Sequence, residues 1–117
     1  MSGQFLWFDL LTDDAGAASG FYADLLGWPI SPDDGATKYD SWIGGDGGPW
    51  AAIAGNPTQN AAWVPYVAVD DITNARDRAE SLGAKIIQEP TEGPGGTSVL
   101  LTDPNGALFA LFVPRAA

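Results

Sequence analysis

Residues 5–28, FLWFDLLTDDAGAASGFYADLLGW, decide how the rest of the chain is read. They predict a strand, an acidic turn and a short amphipathic helix stopped by Gly27. The same grammar returns at residues 64–85, VPYVAVDDITNARDRAESLGAK. An offset of 57 positions lays Asp70 and Asp71 on Asp13 and Asp14, Ala75 on Ala18, and Leu82 on Leu25. The identities are few, but their physical order (strand, paired Asp, helix, Gly) marks two copies of one supersecondary unit.

Within the first copy, strand alternation puts Phe5, Trp7, Asp9 and Leu11 on one face and Leu6, Phe8 and Leu10 on the other. Asp13 or Asp14 caps the helix by accepting from its free N–H groups, and capping is the simpler reading of an Asp pair that could otherwise suggest a metal. Ala18, Phe21, Tyr22 and Leu25 form the expected buried stripe of a helix over 15–26. Gly16 and Gly20 weaken that helix by about 1 kcal/mol each relative to Ala, and Gly20 is read as a point of close approach to the sheet. Short strands follow at 28–30, 39–43 and 50–54, with a turn at 32–35. The Gly44-Gly45-Asp46-Gly47-Gly48 run resembles a phosphate loop, but no helix follows it, so a hairpin turn is expected. Either Tyr39 or Asp40 faces inward; alternation leaves both open.

Residues 55–62 read as a polar linker. In the second copy Val64, Tyr66 and Ala68 share one strand face and Pro65, Val67 and Val69 the other. Asp70 or Asp71 caps a helix with an inner stripe of Ile72, Ala75, Ala79 and Leu82, ended by Gly83. Arg76, Asp77, Arg78 and Glu80 form its solvated side. Strands at 85–88, 97–102 and 107–113 complete the unit, with a Pro/Gly-rich loop at 89–96 and an Asp103-Pro104-Asn105-Gly106 turn before the last strand. The expected class is α+β: two βαβββ modules, residues 1–57 and 58–117, within one structural domain.

Composition narrows function further. The chain has 117 residues, 15 acidic and 5 basic, for a net charge of −10; nucleic acid and anionic membrane surfaces are therefore not expected partners. No apolar run approaches the roughly 20 residues of a membrane span. The start, MSGQFLWFDL, has neither the basic nor the long apolar region of a signal peptide. Cysteine is absent, and a cytoplasmic location is expected. Histidine is also absent, so zinc, copper and haem lose their usual ligands and the commonest general base is missing.

Four features together resemble the vicinal oxygen chelate superfamily, which includes glyoxalase I, extradiol dioxygenases and bleomycin-resistance proteins. They are Phe21-Tyr22 followed by Leu25-Leu26-Gly27-Trp28, the Val69-Asp70-Asp71 helix entry, Leu82-Gly83-Ala84, and Asp103-Pro104-Asn105-Gly106. The resemblance implies a curved eight-stranded mixed sheet around a cavity, often in a homodimer. It also implies metal-ligand positions near Trp7, Ile53, Val64 and Ala110. None of these side chains can bind a metal, nor can those one place along, Phe8, Ala52, Pro65 and Phe109. No metal or other cofactor is expected.

The expected function is binding of a hydrophobic or aromatic small molecule without metal. The expected lining is Trp7, Asp9, Trp42, Trp50, Ile53, Val64, Tyr66 and Ala110, where flat aromatic faces can hold a planar ligand. Trp63 joins the aromatic set, although core and dimer packing compete for all of these rings. Two alternatives stand beside this one. A metal-independent lyase or isomerase would use Asp9 as general base and Tyr66 as oxyanion donor. A structural or regulatory module would fill its cavity with its own side chains. A homodimer is expected because apolar strand edges and five Trp exceed the needs of so small a core.

Overall fold

A computed structural model describes residues 3–35, 37, 39–55 and 60–115. The elements are β1 (Phe5–Leu11), α1 (Ala15–Leu26), β2 (Ile30–Pro32), β3 (Ser41–Ile43), β4 (Ala51–Ala54), β5 (Ala62–Ala68), α2 (Ile72–Ser81), β6 (Lys85–Gly93), β7 (Gly96–Thr102) and β8 (Leu108–Pro114). This is βαβββ twice. The eight strands form one mixed sheet in the order β2-β3-β4-β1-β5-β8-β7-β6. Each module pairs its first and last strands in parallel, β1 with β4 and β5 with β8. The pairs β2–β3, β3–β4, β6–β7 and β7–β8 are antiparallel. No helix among the described residues is long and apolar enough to cross a membrane.

The helix starts follow from local hydrogen bonding. The Asp14 carboxylate accepts from Ala17 N and the Asp71 carboxylate from Asn74 N, so the second Asp of each pair is the cap. Gly27 ends α1 in the left-handed region at φ 70°, a conformation glycine adopts without a Cβ penalty. Gly44 opens the β3–β4 hairpin at φ 149°, where a side chain would collide with the Gly48 carbonyl. The glycine run is thus a turn, as its lack of a following helix implies.

Two compact units divide the chain: Phe8–Trp63, and Met1–Trp7 with Val64–Ala117. In the unit Phe8–Trp63, Leu10, Ile43, Ala51 and Ile53 form the buried core. Ala15, Ala18 and Tyr22 of α1 pack on it, with Trp28, Ile30 and Trp63. The expected α1 stripe is corrected here: Phe21 and Leu25 remain 58% and 64% exposed. The sheet-facing side is set by Ala15, Ala18 and Tyr22, at i, i+3 and i+7, which turns Phe21 and Leu25 outward. Gly20 is exposed and nothing lies within 4 Å of a Cβ placed there, so it is not a contact with the sheet.

In the other unit Val99, Leu101 and Leu111 are the core, covered by Ile72, Ala75 and Ala79 of α2 and by Val69, Ile86 and Phe109. Leu82, expected in the α2 stripe, is the C-cap residue and 64% exposed. Arg76 reaches Glu80 and Glu89, both at 2.8 Å, fastening the outer side of α2 to β6. The predicted loop 89–96 is largely strand, because β6 continues to Gly93 after register shifts between Ile86 and Gln88 and between Gln88 and Thr91; such irregularities let a strand pass a Pro.

Candidate functional site

The sheet register of the unit Phe8–Trp63 places the first candidates. Asp9 lies opposite Ala52, Ala52 opposite Trp42, and Trp42 opposite Ser31. Directly paired residues share a face, so these four lie on one side of β1, β4, β3 and β2. Leu10 and Ile53 pair one step on and belong to the core under α1. The Asp9 face is therefore the one turned away from α1.

Asp9 is 3% exposed. A buried carboxylate requires hydrogen-bond donors, and the Tyr39 hydroxyl donates to its Oδ2 at 3.0 Å. This settles the alternative left by the sequence: Tyr39 turns to Asp9, while Asp40 is exposed and accepts from the Ser41 hydroxyl at 2.7 Å. Tyr39 and Trp42 stand with ring centroids 4.8 Å apart and planes at 58°. The Trp42 indole N–H donates to Asp33 Oδ1 at 2.9 Å. Asp33 Oδ2 in turn accepts from the backbone N–H groups of Gly35 and Thr37, at 3.1 and 3.0 Å. The indole donor, then the Thr37 amide, hold the Asp33 carboxyl below its ordinary pKa.

Four polar or aromatic groups thus form a relay in which neither ring is free to choose its orientation. Asp33 fixes the indole edge, Asp9 fixes the phenol tip, and the two rings make a wedge beside a buried acid. Chemically, such a wedge stacks against a planar ligand, and the acid attracts a hydrogen-bond donor or a cation. Asp33 and Tyr39 were not in the expected lining. The Pro32-Asp33-Asp34-Gly35 turn signal placed a carboxylate near β3, but nothing in the local sequence pointed it at an indole nine positions along the hairpin.

The other expected residues fall elsewhere. Ile53 is fully buried in the core under α1; the Asp9 face at this level of β4 belongs to Ala52, one residue away. Trp50 is 43% exposed and meets Trp28 edge-to-face at 4.9 Å. Trp28 stacks on Tyr22 at 5.1 Å, and Trp63 donates its indole N–H to the Tyr22 hydroxyl at 2.9 Å. Trp28 and Trp63 pack on the α1-covered core, so Trp50 joins an aromatic cluster on the helix side.

In the other unit, Tyr66 lies opposite Ala110, and Ala110 opposite Leu100. The next step, Val67 with Leu111, is on the α2 side, so Tyr66 and Ala110 occupy the face turned from α2. Tyr66 is half-buried and packs edge-to-face on Phe112 at 5.7 Å. Val64 and Ala110 are 1% exposed. Trp7 is half-buried.

The donor chemistry does not fit a divalent metal. The positions implied by the superfamily carry an indole, two aliphatic side chains and a methyl group. The chain contains neither His nor Cys. Among the described residues, no three Asp or Glu converge, as an all-oxygen site would require.

The family model described as a glyoxalase-like domain matches residues 6–112. The Mycobacterium tuberculosis protein CFP32, provisionally named a glyoxylase, is 31% identical over 97% of this chain and 45% of its own length. The anthracycline biosynthesis protein DauV of Streptomyces sp. strain C5 is 32% identical over 98% of this chain and 43% of its own. The chain therefore spans less than half the length of these curated relatives. Among solved structures, the Mn(II)-bound glyoxalase of Novosphingobium aromaticivorans superposes with a TM-score of 0.63, covering 99% of this chain and 42% of that one at 20% identity; that likeness is one of fold.

Proposed function

The chain belongs to the glyoxalase-like domain family of the vicinal oxygen chelate superfamily, and from that premise we propose that it binds a planar aromatic small molecule without a metal. The observation that carries the reading is the Asp9–Tyr39–Trp42–Asp33 relay. It holds two aromatic rings in fixed orientation beside a buried carboxylate. Fixing the rings before the ligand arrives lowers the ordering cost of binding. The four positions implied as metal ligands, Trp7, Ile53, Val64 and Ala110, carry no donor atom to hold the Lewis acid on which metal-dependent chemistry in this superfamily depends. Two relatives are named for anthracycline biosynthesis, and anthracyclines are fused-ring planar molecules, which fits the same ligand class. Binding takes place on the Asp9 face, with Ala52 as the small floor residue between Asp9 and Trp42. The lack of cysteine suits a reducing, cytoplasmic setting.

Calorimetric titration with proflavine (planar, cationic) and menadione (planar, neutral) tests the proposal. Trp42→Ala should weaken binding at least tenfold, and Trp50→Ala should leave it unchanged. Equal losses for both variants, or binding that survives Trp42→Ala, would overturn it. Asp9→Asn should weaken proflavine more than menadione, because only the cation gains from the carboxylate.

A further inference from the structure

The Asp103-Pro104-Asn105-Gly106 turn closes the β7–β8 hairpin, and it carries a chemistry of its own. Asn is a chemically labile residue, because the backbone nitrogen that follows it can attack its side-chain carbonyl. Of the four asparagines, Asn56 precedes Pro, Asn60 and Asn74 precede Ala, and Asn105 alone precedes Gly. Proline has no N–H to lose, a methyl group crowds the attack in the alanine pairs, and glycine leaves the nitrogen open. Asn105 and Gly106 are both exposed. A Cβ placed on Gly106 would meet nothing within 4 Å, and the Asn105 side-chain amide makes no hydrogen bond among the described residues. Asn74, by contrast, lies inside α2, where the nitrogen that follows it, that of Ala75, donates to the Asp71 carbonyl at 3.0 Å.

We propose that Asn105 is a site of spontaneous deamidation to isoaspartate, and that Asp103 restrains it. In the first step the Gly106 nitrogen loses its proton and bonds to the side-chain carbonyl carbon of Asn105, and the side-chain nitrogen leaves as ammonia. Water then opens the resulting succinimide ring at either carbonyl, giving isoaspartate or aspartate; nothing is oxidised or reduced. The folded turn holds the attacking nitrogen back. The Gly106 N–H donates to the Asp103 carbonyl at 2.9 Å, and Asp103 Oδ1 accepts from the N–H groups of Asn105 and Ala107 at 2.8 and 3.0 Å. Gly106 must give up its bond before it can attack, so the rate follows local opening of the turn. Isoaspartate routes the backbone through the former side chain, which lengthens the turn by one carbon and adds a negative charge. The bonds to Asp103 cannot all form again, so modification is a one-way loosening of the β7–β8 hairpin. The inference stands independently of the ligand proposal.

Incubation of the full chain, folded and in urea, at neutral and at mildly alkaline pH tests it. Modification is mapped by peptide mass spectrometry, with isoaspartate identified by electron-transfer fragmentation. Wild type should gain the amide-to-acid mass first at Asn105, faster at the higher pH because the nucleophile is the deprotonated nitrogen. Asp103→Ala removes the Oδ1 acceptor and should raise the Asn105 rate threefold or more, as should urea. Asp103→Asn keeps one side-chain oxygen and should fall between wild type and Asp103→Ala; it adds no competing site, because Pro104 follows it. Asn60 and Asn74 should stay unmodified in both folded Asp103 variants, which separates opening of the turn from loss of the fold. Asn105→Gln should abolish the early mass gain. No modification at Asn105, modification appearing first at Asn60 or Asn74, a folded wild-type rate equal to that in urea, or Asp103→Ala no faster than wild type would overturn the proposal.

Discussion

The Tyr39 hydroxyl donates to Asp9 Oδ2 at 3.0 Å, joining the edge of β3 to the middle of β1 across thirty positions of sequence. The bond lies on the face of the sheet turned from α1, next to the indole of Trp42, and it gives a 3%-exposed carboxylate one of the donors it needs. A bond of this kind, to an acceptor shielded from water, contributes more than a surface ion pair such as Arg76–Asp77.

Tyr39→Phe removes that donor and keeps the ring. It should lower stability by about 1–3 kcal/mol, the usual cost of withdrawing a hydrogen-bond partner from a buried acceptor. Urea denaturation should show a reduced midpoint with an unchanged slope. A midpoint equal to wild type would mean that Asp9 does not depend on Tyr39.

Asp33 makes stability pH-dependent in a predictable direction. Its carboxyl is held low by the Trp42 indole N–H and then by the Thr37 amide. A depressed folded pKa contributes stability that is complete above the unfolded value, about 3.9, and is lost as pH falls through the lower folded value. Asp33→Asn should therefore be less stable than wild type at pH 7 and pH 5, with the gap closing toward pH 3. A gap that is constant or widens with acid would contradict the assignment.

Two glycines should respond to alanine with opposite signs. Gly20→Ala adds a favoured helix residue at an open, exposed position and should stabilise by about 0.5–1 kcal/mol. Gly44→Ala forces a side chain against the Gly48 carbonyl at a positive φ and should destabilise by more than about 1 kcal/mol. Thermal melts of the two variants should move in opposite directions.

Purified, untagged protein should carry well under one equivalent of Mn, Fe, Ni or Zn by elemental analysis, because the side chains at the ligand positions lack donor atoms. A stoichiometric metal that resists mild chelation would contradict the metal-free reading.

The sequence disclosed most where the chemistry is local. Asp14 and Asp71 cap their helices through bonds reaching three residues, and the Gly44–Gly48 turn is written in its own composition. The two βαβββ modules were legible because strand and helix periods differ over whole segments. Legibility failed where a decision depended on one residue of register or on a distant partner. Ile53 and Ala52 sit on opposite faces of β4, and a one-step slip exchanges the core for the face that carries Asp9. α1 carries apolar residues on two flanks, Ala18 with Tyr22 and Phe21 with Leu25, and periodicity cannot say which meets the sheet. Tyr39 precedes β3, outside the alternation that would have aimed it, and only its bond to Asp9 shows its direction.

The most direct test of the ligand face observes all five indoles at once. In a ¹⁵N-labelled sample with each Trp indole N–H assigned by single Trp→Phe replacement, proflavine and menadione are titrated and the five indole signals followed. The Trp42 signal should shift first and saturate with the ligand, while those of Trp28, Trp50 and Trp63 on the helix side stay in place. Shifts centred on Trp28 and Trp50, or an unmoved Trp42 while either compound binds, would contradict the proposed site.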